Sequence, residues 1–367
     1  MHGNPRGAGA RLALGRRGAD GSRSGWDRVS ERAFWVGTYT GGAGDGAGIY
    51  RMTRRAGGGL EALELAAEAV NPSYVAVHPG KDVLYAVREE DEGGVAAYRV
   101  TGAGLREIGR RGAGALPCHL SVAPDGAHLV VADYGSGTVR AYPLDGDGGF
   151  AGDAGVAEGH GGGPRTDRQE GPHAHMTAHA PDGTVLTTDL GADLVRSFRI
   201  EDGALRPAGE TRLPAGYGPR HLVVHPGGYV HVLTELAAAV LVLRPIDGYA
   251  ALEVVAESPA TAGPAGDPAQ GAAIKLGDGG RFVYTSMRGT DAVTAHRVRD
   301  GGAALEPVAD VPSGGHWPRD LHVDGEWMHV ANERSGTITT FRIGGNGVPE
   351  PAGAALSVPS PVCVVPA

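Results

Sequence analysis

The chain repeats one short unit six times, and this repeat limits the possible folds more than any other feature. Each copy holds two short apolar runs separated by a turn such as Pro-Asp-Gly or Pro-Gly-Gly, and a third apolar run follows nearly every copy. The copies span 71–89, 117–135, 172–191, 219–236, 271–289 and 318–336. Their starts lie about 45 to 55 residues apart, which is typical of a β-propeller with one blade per repeat.

The two ends of the chain complete a seventh unit. FWVGTYT (34–40), GIYRM (48–52) and LELAAEAV (63–70) read as second to fourth strands, and PSPVCVVPA (359–367) reads as a lone first strand. Joining the two ends closes the ring and removes the free sheet edge. Two separate sandwiches would not explain one missing strand at each end. We therefore predict an all-β, seven-bladed β-propeller over 33–367, closed by the C-terminal strand.

Residues 1–32 have a different composition. They are rich in Gly, Arg and Ser and show no apolar period, so we expect a disordered segment. A basic arm that contacts nucleic acid is the alternative.

Charge and composition exclude several classes of partner. The formal net charge of −9 argues against nucleic acid and acidic membranes. The sequence contains no run of about 18 apolar residues, so it does not predict a membrane span. The apolar run at 12–14 is too short for a secretory signal. Cys118 and Cys363 show no pairing pattern, so we expect reduced thiols. We predict a cytoplasmic protein that is a monomer or a weak homo-oligomer.

Polar side chains recur at one end of the repeat. The first strand of a propeller blade lines the central channel, so side chains at its start and at the end of the second strand gather at one mouth. Counting back six residues from the turn proline gives His175 and Arg220, and the matching PR-x-L motif gives Arg319. The second strands end on Asp133, Asp189, Glu235, Arg288 and Glu333.

Structural roles are the alternative for several of these residues. Arg220 and Arg319 each follow a proline at a strand start, where they would bond carbonyl groups of neighbouring blades. Asp133 and Asp189 lie in turns, where Asp commonly accepts hydrogen bonds from backbone N–H groups, and the structural role is favoured for both. Glu235 and Arg288 belong to no turn and are harder to explain in this way.

The histidines do not predict a metal site. His173, His175 and His179 alternate along one strand, but no third ligand stands at a fixed spacing. His119 and His221 fit packing roles. The sequence also has no G-x-S-x-G elbow, no P-loop and no dinucleotide fingerprint, so neither a serine hydrolase nor a nucleotide-binding enzyme is indicated.

Several motifs, taken in order, carry a resemblance to a known family. FWVGTYT with GIY, PHAH with PDG and DLGAD, GPRHL with TEL, YTSMRG, and PRDL with VANE resemble the lactonase family of seven-bladed propellers. That family includes propeller-type 6-phosphogluconolactonases and a fungal carboxy-muconate lactonising enzyme. The resemblance implies a hydrolase of sugar lactones that needs neither a metal nor another cofactor. Met287 stands where Asn is usual in the motif, and the charged residues are in place.

The resemblance also implies a site of one His, two Arg and one Glu. By motif these are His175, with His173 as the rival, Arg220, Glu235 and Arg288. Either Glu235 or His175 would deprotonate the attacking water, and the sequence does not decide between them.

The expected substrate is an anionic lactone, most simply 6-phosphogluconolactone. Arginine binds phosphate or carboxylate groups and can stabilise an oxyanion. His173, Arg319 and Asp189 are the candidate substrate-binding residues. The alternatives are a carboxy-muconate-type lactonising or lactone-opening reaction, or a propeller that serves only as a binding scaffold. We expect the glycine-rich insert at 151–169 to lie over one face as a mobile loop.

Overall fold

Seven antiparallel sheets form the structure, a computed structural model that describes residues 1, 31–102 and 104–367. Three strands come first: β1 (Arg32–Thr38), β2 (Gly48–Arg54) and β3 (Leu60–Glu68). Blade 1 contains β4 (Val75–Val77), β5 (Val83–Arg88), β6 (Gly94–Thr101) and β7 (Gly104–Gly112). Blade 2 contains β8 (Pro117–Val122), β9 (His128–Asp133), β10 (Thr138–Pro143) and β11 (Gly155–Ala157). Blade 3 contains β12 (Ala174–His179), β13 (Val185–Asp189), β14 (Leu194–Glu201) and β15 (Ala204–Arg212).

The remaining blades repeat this order from the channel outward. Blade 4 contains β16 (Pro219–Val224), β17 (Val230–Thr234), β18 (Ala239–Asp247) and β19 (Ala251–Pro259). Blade 5 contains β20 (Gln270–Gly277), β21 (Phe282–Arg288), β22 (Ala292–Arg299) and β23 (Ala304–Pro312). Blade 6 contains β24 (Pro318–Asp324), β25 (Trp327–Asn332), β26 (Thr337–Ile343), β27 (Pro349–Pro351) and β28 (Leu356–Ser357). Short 3₁₀ turns lie at Gly41–Ala43, Asp278–Gly280 and Asp300–Gly302.

The last strand closes the ring as predicted. β29 (Pro361–Pro366) pairs with β1, and blade 7 has the order β29-β1-β2-β3. The sheet edge that an open ring would expose is therefore paired between the two ends of the chain. β1 begins at Arg32, the last residue of the segment that we expected to be disordered. Residues 2–30 lie outside the described part of the chain.

The hydrophobic core lies between the blades. Within the described residues, one cluster of buried apolar side chains occupies each of the seven interfaces between neighbouring blades. Alternate residues of a strand point to opposite faces, and both faces of a blade meet a neighbour, so the strands are apolar on both faces. The two cysteines are buried and free.

A β-bulge at the start of several inner strands turns one side chain in each of them out of the regular alternation. In β16, Pro219 pairs with Thr234 and His221 pairs with Leu233, which leaves Arg220 as the extra residue. The same shift singles out His175 in β12 and Arg319 in β24. An extra residue locally disrupts the ladder and turns its side chain out of the regular alternation. The bulges therefore explain why a fixed count from the turn proline finds side chains at the channel mouth.

In several blades, the residue before the proline that begins the inner strand has a left-handed backbone conformation. Gly218, Leu116 and Trp317 have φ values of 60°, 51° and 67° and precede Pro219, Pro117 and Pro318. A Cβ on Gly218 would lie 2.6 Å from Cγ of Leu236, so a larger residue fits there only if the Leu236 side chain moves. The carbonyl group of Gly218 accepts a hydrogen bond from the backbone N–H of Glu235. This bond sets the first residue after β17 beside the start of β16.

Candidate functional site

Glu235 lies at the centre of a buried group of charges at the channel mouth. Its Oε2 is 3.1 Å from Nε of Arg220 and 2.6 Å from Nη2 of Arg288. Its Oε1 accepts a hydrogen bond from Nη2 of Arg168 at 2.5 Å. Burial on its own raises the pKa of Glu235, but the arginines outweigh burial and hold the pKa far below its ordinary range. The carboxylate is therefore ionised at any pH near neutral.

Arg220 and Arg288 are held from blades 4 and 5. Arg220 also contacts the carbonyl group of Ala272 and donates to Nε2 of His221 at 3.2 Å. Burial, with Arg288 and Arg319 nearby, lowers the pKa of Arg220 to about 10, so the group stays charged at neutral pH. Burial likewise lowers the pKa of Arg288, whose Nη2 donates to the carbonyl group of Gly271 at 3.1 Å.

Arg288 has one hydrogen-bond donor without a partner. Its Nε is buried and has no hydrogen-bond partner among the described residues. Its guanidinium carbon lies 5.7 Å from the ring centroid of Trp317, which is half-buried beside it. A buried donor without a partner destabilises the folded protein unless a ligand or a water molecule accepts its hydrogen bond.

His175 is a neutral imidazole beside these arginines. Its ring packs edge-on against Tyr134 and His221, with centroid distances of 5.6 Å and 5.4 Å. Burial, together with Arg220, lowers the pKa of His175 well below its ordinary value. Its Nδ1 is buried and has no hydrogen-bond partner among residues 31–102 and 104–367. The ring is thus an unprotonated acceptor at neutral pH.

His173, the rival histidine, is bonded within the protein. Its ring stacks on Tyr134 at 4.4 Å, and its Nδ1 lies 2.8 Å from the carbonyl oxygen of Tyr134. Its Nε2 lies 3.0 Å from Oε1 of Glu170. Both ring nitrogens therefore have partners, whereas Nδ1 of His175 has none among the described residues. The contacts favour His175 over His173 as the histidine that acts on a substrate.

Asp189 does not face the mouth, and its substrate-binding role does not fit the structure. Its Oδ1 accepts from the backbone N–H groups of His173 and Ala192, and its Oδ2 accepts from Arg196 at 3.0 Å. The position predicted in blade 3 lies one residue too early in the sequence to be the equivalent of Glu235. Asp189 pairs with Ala174 just as Thr234 pairs with Pro219, so Leu190, not Asp189, corresponds to Glu235. A shift of one residue turns a strand side chain to the other face.

Arg319 lies at the mouth with a different set of partners. Its Nη2 donates to the phenol oxygen of Tyr39 at 2.5 Å, and its Nη1 lies 3.6 Å from Oε2 of Glu333. The Tyr39 hydroxyl donates in turn to Glu89, at 3.0 Å from Oε1. These acidic and phenolic partners raise the pKa of Arg319 against the effect of burial.

Several residues at the mouth, among them Ser73, were missed by the sequence interpretation. Tyr39, Glu89 and Tyr134 each follow a second strand, as Glu235 does, and each backbone N–H donates to the carbonyl group of the residue before the inner strand's proline. This repeat position was the available signal. Arg168 lies in the insert at 151–169 and has no counterpart in other blades, so no repeat pattern could have found it.

The insert makes defined contacts across two blades. It supplies β11 to blade 2, and Arg165 then donates to the carbonyl groups of Gly216 and Leu236 in blade 4, at 3.0 Å and 2.9 Å. Nε2 of Gln169 donates to the carbonyl group of Leu190 at 2.9 Å. These anchors on either side place Arg168 over Glu235.

Two searches of the described residues gave negative findings. No three His, Cys, Asp or Glu side chains among them converge in a way that could hold a metal ion. No helix in this part of the chain has the length and apolar character needed to cross a membrane.

The fold and the cluster at its mouth define a propeller lactonase. The chain belongs to this family: the model described as "Lactonase, 7-bladed beta-propeller" matches residues 33–366. A 6-phosphogluconolactonase of Bacillus subtilis is 34% identical over 342 residues, which covers 90% of this chain and 97% of the relative.

Solved structures agree with this assignment. A protein from Lactobacillus plantarum has a TM-score of 0.85 at 29% identity, covering 92% of this chain and 99% of its own. A periplasmic gluconolactonase from Pseudomonas aeruginosa has a TM-score of 0.85 at 26% identity, with the same coverage. The resemblance seen in the sequence motifs is confirmed.

Proposed function

We propose that the protein hydrolyses a phosphorylated aldonolactone, most simply 6-phosphogluconolactone to 6-phosphogluconate. The name of the Bacillus subtilis relative supports this substrate. The observation that carries the proposal is the placement of two buried guanidinium groups, Arg220 and Arg288, beside the neutral His175. Lactone hydrolysis needs both kinds of group: a donor for the oxyanion and a base for water.

Arg220 and Arg288 stabilise the negative charge that develops on the carbonyl oxygen. Preorganised donors in a site that excludes water act more strongly than the same donors in solution. Glu235 holds both guanidinium groups, so they need not reorganise during the reaction. The unpartnered Nε of Arg288 is a donor left for the substrate.

His175 is the better base of the two candidates. Both carboxylate oxygens of Glu235 are already occupied by arginines, which leaves Glu235 poorly placed to take a proton from water. His175 is unprotonated at neutral pH, and its buried Nδ1 is unpartnered among the described residues. We therefore assign proton transfer to His175 and positioning of the arginines to Glu235.

The reaction then balances without a cofactor. His175 accepts a proton from water while the water oxygen bonds to the lactone carbon, and Arg220 and Arg288 bind the resulting oxyanion. The bond between this carbon and the ring oxygen breaks, and the ring oxygen takes the proton back from His175. The product acid releases its proton to solvent, so one lactone and one water give one carboxylate and one proton.

Arg168 supplies the contact for the phosphate. Its side chain is 30% exposed, whereas those of Arg220 and Arg288 are 3% and 7% exposed. A guanidinium group binds phosphate through paired, charge-assisted hydrogen bonds. The insert therefore sets the preference for a phosphorylated over an unphosphorylated lactone.

Location and assembly complete the proposal. A phosphorylated sugar acid is formed inside cells, so a cytoplasmic protein is expected, although one structural relative is named periplasmic. The expectation of a monomer or a weak homo-oligomer stays a prediction.

Acid release in a pH-stat tests the function. The substrates are 6-phosphoglucono-1,5-lactone, glucono-1,5-lactone and a muconolactone, each measured against its spontaneous hydrolysis. We expect the wild type to accelerate the first most strongly and His175→Ala to lower kcat by about 10²- to 10⁴-fold. His128→Ala, at the far end of β9, is the matched control and should keep full activity. Turnover of the muconolactone alone would establish the lactonising alternative. No acceleration of any of the three hydrolysis reactions would leave only the binding-scaffold alternative.

A further inference from the structure

The channel mouth consists of two halves with opposite charge. The cationic half contains Arg168, Arg220 and Arg288 around the single carboxylate of Glu235. The acidic half contains the carboxylates of Glu89 and Glu333 around the single guanidinium group of Arg319, with Tyr39 and Ser73. The first half thus carries two net positive charges and the second half one net negative charge.

The acidic half is a preorganised set of hydrogen-bonding groups. The Tyr39 hydroxyl bridges Arg319 and Glu89, and Ser73 donates to the other oxygen of Glu89. Arg319 also lies over the Tyr39 ring, 4.9 Å from its centroid. Burial raises the pKa of Tyr39, so its phenol stays protonated. These contacts fix the carboxylate of Glu89 without filling all of its acceptor positions, since an ionised carboxylate can accept about four hydrogen bonds. Oε2 of Glu333 is buried and has no hydrogen-bond partner among the described residues.

The two halves border one cavity. Ser73 and Arg319 from the acidic half and Arg220 from the cationic half line one small cavity, which has room for about one water molecule. Arg220 and Arg319 are both bulge residues at the start of inner strands, and they lie close enough for Arg319 to lower the pKa of Arg220. The two halves therefore adjoin, within reach of one ligand the size of a sugar lactone.

The acidic half does not suit the anionic parts of the proposed substrate. Two carboxylates beside one guanidinium group repel a phosphate or a developing oxyanion, because like charges at short range are unfavourable. Carboxylates are instead good acceptors for neutral hydroxyl groups, and these bonds to a charged acceptor are stronger than neutral ones.

The covalent structure of a hexono-1,5-lactone has the same two-sided character. Its carbonyl carbon C1 and its carbon C5, which bears the phosphorylated C6, both adjoin the ring oxygen. The hydroxyl groups on C2, C3 and C4 occupy the opposite edge of the ring. One edge is therefore anionic in the transition state, and the other is a row of neutral hydroxyl groups.

We propose that the acidic half, Tyr39, Ser73, Glu89, Arg319 and Glu333, is the subsite for the hydroxyl-bearing edge of the lactone ring. This inference rests on the proposed lactonase function and deepens it, because it names the part of the molecule that selects polyhydroxylated substrates. The cationic half then receives the carbonyl group and the phosphate. The charge difference across the mouth orients the substrate in one direction.

Paired substrates test the subsite. Tyr39→Phe and Glu89→Gln are assayed on glucono-1,5-lactone, which has the three ring hydroxyl groups, and on δ-valerolactone, which has none. We expect each substitution to lower kcat/KM for glucono-1,5-lactone by about tenfold or more, mainly through KM, since bonds to charged groups are lost. Hydrolysis of δ-valerolactone should change by less than about twofold. Tyr217→Phe is the matched control, because its hydroxyl bonds Glu257 at 3.2 Å on the surface.

A second readout does not depend on turnover of δ-valerolactone. Competitive inhibition by gluconate should weaken in Tyr39→Phe and Glu89→Gln, while inhibition by 5-hydroxypentanoate stays unchanged. Equal losses for gluconate and for its counterpart without the C2, C3 and C4 hydroxyl groups, or no loss for either, would overturn the subsite. A wild type that hydrolyses neither lactone would overturn the proposed function as well, so the two failures are distinguishable.

Discussion

Glu235 is one carboxylate that holds three arginine side chains together at the candidate site. Arg168, Arg220 and Arg288 come from an insert and two blades, and each donates to this one side chain. Removing one partner of a buried charge pair leaves the others uncompensated, which is far more costly than losing a surface ion pair. The exposed pair of Arg244 and Glu253 provides that comparison within the same molecule.

Replacing Glu235 with Gln should separate positioning from proton transfer. We expect kcat to fall more than about tenfold and the free energy of unfolding to fall by about 3–5 kcal/mol, measured by urea denaturation. The acid limb of the kcat/KM profile should persist but move to lower pH, because His175 remains the base and loses the carboxylate of Glu235, which raises its pKa. Since the pKa of His175 is well below its ordinary value, wild-type activity should show no ionisation near pH 6.5.

Two results would contradict this assignment. One is an acid limb that disappears in Glu235→Gln, which would make Glu235 the base. The other is an unchanged kcat, which would remove the arginine pair from catalysis. Glu253→Gln, at the exposed pair, should leave both activity and stability as they are in the wild type.

At the scale of elements, the β-bulges and the insert divide the site between a repeated and an unrepeated part. The bulges place His175, Arg220 and Arg319 at equivalent positions of three blades. The insert brings Arg168 from outside the repeat and is anchored by Arg165 on blade 4. The repeated part can serve any lactone, while the insert adds a contact that only an anionic substituent uses.

Replacing Arg168 with Ala should therefore change substrate preference more than turnover. We expect KM for 6-phosphoglucono-1,5-lactone to rise by about tenfold or more, since a charge-assisted bond to phosphate is lost. KM for glucono-1,5-lactone should stay nearly constant. Arg334→Ala removes an arginine that lies over Trp317 and belongs to neither charged half, and this change should affect both substrates little. An equal rise in KM for both lactones would contradict a phosphate contact.

The same division explains how far the sequence could predict the site. The repeat period predicted the seven blades, the closing strand and the charged ends of blade 4, because each depends on spacing alone. Asp189 was misplaced because it is the last residue of its strand, whereas Glu235 is the first residue after its strand, and the sequence alone does not show where each strand ends. Arg168 depends on how a 19-residue glycine-rich insert (151–169) folds back over another blade, and no period encodes that path.

At the scale of the whole molecule, histidines buried in a closed ring make stability depend on pH. Eight described histidines have a pKa lowered chiefly by burial: His119, His175, His179, His221, His231, His296, His322 and His329. As pH falls below about 6.5, the unfolded chain binds protons that the folded chain cannot bind. The free energy of unfolding should therefore decrease with falling pH and level off above about pH 6.5.

The size of the effect can be judged from one residue. The pKa of His231 is lowered to about 4 in the folded protein. A histidine with this shift destabilises the folded state by about 2 kcal/mol at pH 5 relative to neutral pH. Several such groups together approach the total stability of about 5–15 kcal/mol that is usual for a domain.

We therefore expect the midpoint of urea denaturation to fall steeply between pH 7.5 and pH 5. Replacing His231 with Gln tests the cause, because Gln can keep the hydrogen bond that Nε2 donates to the carbonyl group of Gly302 at 2.8 Å. The variant should lose about 2 kcal/mol less than the wild type over this pH range, whatever its stability at pH 7.5. Parallel pH dependence in His231→Gln and the wild type would show that buried histidines do not cause the acid sensitivity.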